Sequence, residues 1–230
     1  MIEQADGTGG VALREQLARI PFFAHLDDAV LGELVSAAVP REFARGAVIF
    51  AEGEPSRGLL VIERGQVKIV KSSAQGREHI LELLGAGQPA NAVSVFTRHP
   101  SPATAIALEP TLGWLLPRTA VLETLRAHPA FAERVIEDMA DHMVRLVELV
   151  ADLSLRSVTQ RLAKLLLDSA VDGVVARPRW YTLPELASRL GTVPDVVQRA
   201  LGRLSEDGVV TVSRREIRIA DAAALARAAE

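Results

Sequence analysis

Between residues 131 and 153 the apolar side chains Ile136, Met139, Met143, Leu146, Val150 and Leu153 follow one another at steps of 3, 4, 3, 4 and 3. That is the a/d spacing of a helix that packs along an identical or similar helix. At ~1.5 Å per residue the stretch makes a rod about 34 Å long. Val135, His142 and Leu149 form a second stripe on one flank of the seam, and Val147 lies on the other. This is more apolar surface than a two-helix seam needs, so the surplus is expected to pack on its own chain. A core helix inside a single globular domain is the alternative. The chain on either side of the rod decides between them.

A chain of 230 residues holds one or two domains, each able to bury a core. With 49% hydrophobic and 24% charged residues it has an ordinary globular composition. No apolar run approaches the ~18 residues of a membrane span. The start of the chain, Met1 to Gly10, is acidic and glycine-rich, without a basic-then-apolar leader, so a cytoplasmic protein is expected. The absence of cysteine excludes disulfides, zinc–thiolate sites and cysteine-held iron–sulfur clusters. From Arg156 onward there are twelve basic and nine acidic residues, against 14 basic and 20 acidic before it. A basic module on an acidic body hints at nucleic acid.

Residues 13–38 have helical spacing, broken at Pro21, and Pro40 is expected to stop that region. From 41 to 118, short β-rich runs alternate with glycine: 48–50, 59–62, 67–70, 79–84, 103–108 and 112–116. Strands of this length and spacing indicate a barrel or jelly roll. Three motifs stand out: Gly46-Ala47-Val48-Ile49-Phe50, Gly53-Glu54-Pro55 and Gly65-Gln66-Val67-Lys68. They resemble the β-roll of the cyclic-nucleotide-binding superfamily and, more narrowly, the Crp/Fnr family of bacterial transcription regulators. The resemblance runs from about Leu17 to Leu225. Residues 153–162 and 91–96 are especially similar to the Dnr branch, regulators of denitrification that respond to nitric oxide.

The resemblance implies an α+β chain in three parts: a β-roll sensor over 1–128, a dimerisation helix over 129–155 and a winged helix-turn-helix over 156–230. It also implies a homodimer on double-stranded DNA, with RNA polymerase as a further partner and no membrane.

Read from its own residues, the last part supports this. Thr182-Leu183-Pro184-Glu185 is a capping box that opens a helix. Gly191 ends that helix, and Thr192-Val193-Pro194-Asp195 opens a second one to about Glu206. Two short helices joined by a tight glycine turn form a helix-turn-helix. Trp180-Tyr181 reads as a short β segment after a loop. Val209–Val212 and Glu216–Ile219 read as a hairpin wing around Arg214 and Arg215. Asp195, Gln198 and Arg199 share one face of the second helix, where Arg suits guanine, Gln adenine and Asp cytosine. Thr192 joins them at the helix entry. Arg203, Arg214 and Arg215 suit phosphates. The Fnr and Dnr branches carry Glu-x-x-Ser-Arg on this helix. Here it is Asp195-Val196-Val197-Gln198-Arg199, so the arginine is kept and the serine is replaced.

Cyclic-nucleotide binders of the family use a Gly-Glu pair for the ribose and an Arg-Ser pair for the phosphate. The matching positions here are Asn91, Ala92, Pro102 and Ala103. The positions on the long helix that would face the base are Leu146 and Val147. An effector pocket of Asn91, Ala92, Leu146 and Val147 is therefore expected to be apolar and not to take a cyclic nucleotide. Haem, and through it nitric oxide or carbon monoxide, is the candidate effector. Of the histidines His25, His79, His99, His128 and His142, the candidate iron ligands are His79 and His142. His79 alternates with Leu81 and Leu83 and is expected to point into the roll. A cAMP-dependent regulator is the alternative, and a cupin-like β-roll enzyme a remote one. No catalytic residues are assigned.

Overall fold

The computed structural model describes residues 7–21, 23, 24 and 26–230, so residues 1–6 of the acidic start and His25 lie outside the described residues. The chain divides into two compact units, one running to Lys71 and then from Leu81 to Val144, the other combining Ser72–Ile80 with Arg145–Glu230. Each is described by itself.

The N-terminal unit opens with helices α1 (Gly7–Arg19) and α2 (Asp28–Ala37). Eight strands follow: β1 (Val39–Phe43), β2 (Val48–Phe50), β3 (Gly58–Arg64), β4 (Val67–Ser72), β5 (Glu78–Leu84), β6 (Pro89–Ala90), β7 (Thr104–Ala107) and β8 (Thr111–Pro117). The short helix α3 (Ala92–Phe96) precedes β7, and α4 (Arg118–Ala127) and α5 (Pro129–Leu155) follow β8. The strands form two four-stranded sheets, ordered β1-β8-β3-β6 and β2-β7-β4-β5. All the runs read from sequence as strands in this region are strands.

Strand β3 shows why two layers form. Successive side chains point to opposite faces. Leu59 and Val61 join Leu13, Leu17, Phe23 and Phe131 in one core, whereas Leu60 and Ile62 join Val67, Leu84 and Ala105 in the other. One strand thus separates the helix-covered core from the interior of the roll. Gly65 turns β3 into β4 at φ +105°, and a Cβ there would lie 2.5 Å from Thr111 Oγ1. Phe23 stacks on Phe131 with ring centroids 5.3 Å apart, which ties the start of the chain to the start of α5.

The helical region ends just before Pro40, as expected. The helix before it ends at Ala37, and Pro40 sits inside β1, opposite Trp114 of β8. β1 is an edge strand, where a residue without an N–H is tolerated.

Helix α5 behaves as its surplus apolar surface suggests. Phe131 and Val135 are buried, and Met139 packs on the same core. Farther along the seam, Ile136 and Met143 are 68% and 65% exposed and Val150 63%, and Leu146 is exposed as well. Among the described residues, no helix is long and apolar enough to cross a membrane.

The C-terminal unit holds α6 (Val158–Ser169), β9 (Val174–Ala176), α7 (Leu183–Arg189), α8 (Pro194–Glu206), β10 (Val210–Val212), β11 (Glu216–Ile219) and α9 (Ala222–Ala229). Its core gathers Leu162 and Leu166 of α6, Leu186 of α7, Val197 and Leu201 of α8, Ile217 of β11 and Leu225 of α9. The three strands are ordered β10-β11-β9.

The wing therefore has a third strand within residues 172–179, a stretch rich in Gly, Pro and Arg that reads from sequence as the loop before Trp180. Asp172 and Gly173, at φ 51° and 73°, turn the chain back so that Val174–Ala176 pairs with β11. Trp180-Tyr181 is a turn, not a β segment: the N–H of Thr182 bonds the carbonyl of Trp180 and that of Tyr181 bonds Pro178.

Candidate nucleic-acid interface and effector site

Helix α7 shows the N-cap half of the expected capping box, with Thr182 Oγ1 accepting from the Glu185 N–H at 3.4 Å. The turn after it is built around Gly191 at φ +61°. The Thr192 N–H bonds the Ala187 carbonyl at 2.9 Å, which draws Thr192 into the turn. Thr192 is consequently not the cap of the next helix. The N-cap of α8 is Val193, without a side-chain bond, and Pro194 and Asp195 occupy its first turn.

On α8 the residues divide cleanly. Val197, Ala200, Leu201 and Leu204 are buried, while Asp195, Gln198, Arg199 and Arg203 are exposed. Three of the four candidate base readers and the phosphate candidate thus stand in solvent on the side opposite the core; Thr192 lies half-buried in the turn. Among the described residues, no carboxylate forms an ion pair with Arg199, Arg203, Arg214 or Arg215. Their charge is available to phosphate or to guanine.

The wing tip is held in shape by Ser213. Its Oγ accepts from the Arg215 and Glu216 N–H groups at 3.2 and 3.1 Å. Arg177, just past β9, donates from Nη1 to the Ser213 carbonyl at 2.8 Å, and its N–H bonds the Arg215 carbonyl at 2.7 Å. Arg214 and Arg215 are both exposed on this braced tip.

The connection from α5 to α6 (the hinge, Arg156 and Ser157) carries a device that the sequence pattern signalled only weakly. Ser157 Oγ accepts from the Gln160 N–H, and Gln160 Oε1 accepts from the Ser157 N–H at 2.7 Å, a complete capping box. Its signal was the Ser-x-x-Gln spacing. Asp152 pairs with Lys164 at 2.6 Å and with Arg156 at 3.2 Å. Arg161 donates from Nε to the Leu190 carbonyl at 3.1 Å and from Nη1 to the Arg156 carbonyl at 2.6 Å. The helix-turn-helix turn and the hinge are joined through this one guanidinium.

His79 does not point into the roll. Within the C-terminal unit its Nδ1 lies 2.9 Å from the Ser188 carbonyl of α7, and its Nε2 is buried without a partner among the described residues. Burial, and secondarily the charge of Arg161, pull its pKa below the ordinary 6.5 against the opposing effect of the Ser188 bond. In the same unit, burial raises the Tyr181 pKa and lowers that of Arg189, whose guanidinium lies 5.9 Å from the Tyr181 ring centroid.

In the N-terminal unit the position at Asn91 is polar, not apolar. Asn91 stands before α3 in the left-handed region, at φ 73°, where a glycine or asparagine is tolerated. Its Nδ2 donates to Ser56 Oγ and to the Gly58 carbonyl, both at 3.1 Å, and its Oδ1 accepts from the nearly buried Ser101 Oγ at 3.4 Å. The side-chain amide fills its site and uses its own polar atoms. Ala92 and Ala103 offer no polar side chain, and the Pro102 carbonyl accepts from Lys71 Nζ at 3.0 Å. Leu146 and Val147, exposed on α5, fall in the other unit. His142, in the N-terminal unit, is half-buried. Among the described residues, no group of three or more acidic, histidine or cysteine side chains could hold a metal ion.

A cyclic nucleotide-binding domain is matched by residues 40–128 and a Crp-like helix-turn-helix domain by residues 160–228. A sensor fold followed by a DNA-reading fold defines the class. The chain belongs to the Crp/Fnr family and is a DNA-binding transcription regulator. It is 28% identical over 221 residues to the CRP-like cAMP-activated global transcriptional regulator of Mycobacterium tuberculosis (strain CDC 1551 / Oshkosh), covering 94% of this chain and 99% of that one. It is 29% identical over 188 residues to the cyclic AMP receptor protein of Thermus thermophilus, covering 80% and 85%. FixK2 from Bradyrhizobium japonicum has the same fold, with a TM-score of 0.73 at 21% identity over 83% of this chain and 96% of that one.

Proposed function

We infer that this regulator acts as a cytoplasmic homodimer built of a β-roll over 1–128, a dimer spine over 129–155 and a winged helix-turn-helix over 156–230. It binds an inverted-repeat operator and works through RNA polymerase. Residues 136–153 of two copies pack in parallel, and α8 of each enters a major groove. Asp195, Gln198 and Arg199 read bases there, with Thr192 at the helix entry, and Arg203, Arg214 and Arg215 hold phosphates. The observation that carries this is the exposure of the α8 face, its arginines without carboxylate partners among the described residues, opposite a face buried in the core. Selection of genomic fragments on the purified protein, followed by sequencing, tests it. A recovered motif with two-fold symmetry is expected; recovery without any common motif ends the reading.

The effector is proposed to be something other than a cyclic nucleotide. In support, Asn91 occupies its own position with three side-chain hydrogen bonds, and Ala92, Pro102 and Ala103 bring neither carboxylate nor guanidinium. Calorimetry with cAMP is expected to show no binding heat. A second reading, cAMP-dependent regulation, draws on the names of the relatives in Mycobacterium tuberculosis and Thermus thermophilus, and micromolar cAMP binding would establish it.

Haem on His79 or His142, the reading that goes with the Dnr branch, has one support: the Nε2 of His79 is buried without a hydrogen-bond partner among the described residues. Against it, His79 is engaged at Nδ1 with the Ser188 carbonyl of α7, and neither histidine belongs to a group of three or more candidate metal ligands among the described residues. A saturable Soret band lost in His79→Ala would favour haem, and a band indifferent to both histidines would remove it.

A further inference from the structure

The roll has a cleft of about 340 Å³ between the β2–β3 connection and the segment leading from α3 to β7. It is separate from the Asn91 position, since Asn91, Ala92, Pro102 and Ala103 do not line it. Its wall carries Arg98, His99 and Arg118, the hydroxyls of Ser56, Ser94 and Thr97, and no carboxylate. The volume lies at the lower end of the about 300–1,000 Å³ of small-molecule sites.

The charge in this cleft is held in place and is not neutralised. Arg118 donates from Nε to the Val95 carbonyl and from Nη2 to the Thr97 carbonyl, both at 3.0 Å. These two bonds fix the guanidinium plane at the C-terminal end of α3. They go to neutral carbonyls, so the positive charge stays, and Nη1 takes no partner among the described residues. Arg98 is exposed and forms no ion pair among the described residues. The chain around Arg98 is ordered by the His99 N–H, which bonds Thr97 Oγ1 at 3.2 Å. Ser94 is 2% exposed, at the back of the wall. Two uncompensated guanidiniums and three hydroxyl residues lining one cleft form a cradle for anionic oxygens, because a guanidinium presents paired N–H donors that match carboxylate and phosphate.

We propose that this cleft binds a small, multiply charged oxyanion, a phosphate ester or a di- or tricarboxylate, through Arg98 and Arg118. Such a ligand bridges the β2–β3 connection and the end of α3. It meets residues at the C-terminal end of α3, whereas Asn91 stands at the N-terminal end, and Ser56, whose Oγ accepts from Asn91, lines the cleft as well.

The full chain is titrated calorimetrically with inorganic phosphate, with citrate, and with sodium chloride at matched ionic strength. Saturable heat at one per chain is expected with phosphate or citrate and none with chloride. Phosphate alone points to a phosphate ester, citrate alone to a carboxylate. Arg98→Ala is expected to weaken binding about tenfold or more. It should leave the unliganded melting temperature unchanged, because the side chain is exposed and unpaired. Heat that merely follows ionic strength, no heat with either anion, or binding indifferent to Arg98→Ala overturns the proposal. The titration contains no DNA, so its failure leaves the operator reading standing.

Discussion

The imidazole Nδ1 of His79 faces the carbonyl oxygen of Ser188 at 2.9 Å, while the Nε2 of the same ring is buried with no partner among the described residues. Nδ1 is therefore the donor, and the neutral ring with its proton on Nδ1 is the form that fits. Protonating Nε2 would bury a second N–H without an acceptor, beside the positive Arg161.

This fixes the sign of a pH dependence. The folded-state pKa of His79 is lowered, chiefly by burial, whereas the unfolded chain keeps a value near 6.5. Below about 6.5 the unfolded state binds a proton that the folded state refuses, so stability falls with falling pH until the folded pKa is passed. Urea titrations of the full chain between about pH 7 and pH 5 should show this loss, and His79→Gln should flatten it. An unchanged slope in His79→Gln would place the pH dependence elsewhere.

The seam of α5 predicts an association. Leu146 is 41% exposed, so an aspartate there would be solvated in a single chain but forced out of water in a parallel pair. The wild type is expected to sediment as a dimer at micromolar concentration, and Leu146→Asp as a folded monomer with unchanged helical circular dichroism. A monomeric wild type would refute the seam.

Base reading and phosphate contact separate on two arginines. Arg199→Ala should cost about 1–3 kcal/mol on the preferred operator and relax one base position. Arg214→Ala should weaken all sequences alike and flatten the dependence of affinity on salt. If Arg199→Ala left the preferred sequence as it was, α8 would not be the reading helix.

Two local devices support the DNA module. Ser157→Ala removes half of the capping box and should cost about 1 kcal/mol. At Gly191 the backbone is left-handed, and a Cβ would lie 2.9 Å from Leu153 Cδ2 and 3.4 Å from His79 Cε1. Gly191→Ala should therefore destabilise by more than the about 1 kcal/mol of the backbone term alone. Equilibrium unfolding in urea reads both, and a Gly191→Ala variant as stable as the wild type would contradict the packing of this turn.

Features that depend on a side chain's own neighbours along the chain were legible before any coordinates. The 3-4 spacing of Ile136 to Leu153 marks a helix because those residues meet on one face whatever they later pack against. Alternation in 59–62 marks a strand for the same reason, and Thr182-x-x-Glu185 marks a helix start because the cap is local. The separation of Val197 and Leu201 from Gln198 and Arg199 follows from the helical period, so the candidate reading face was visible as well.

Tertiary structure alone decided the rest, wherever a residue's role depends on a partner distant in sequence. Pro40 is a strand residue because β8 pairs with it and nothing pairs beyond it. Val174–Ala176 is a strand because β11 offers an edge across forty residues. Thr192 belongs to the turn because the Ala187 carbonyl takes its N–H. His79 faces Ser188, 109 positions away, and Asn91 is satisfied by Ser56 and Gly58, more than thirty positions back. Arg98 and Arg118 share a cleft only because α4 follows a strand that brings it to the end of α3. Periodicity states which face a residue occupies; only the folded chain supplies the atom opposite it, and that atom sets charge, hydrogen bonding and the state of each site.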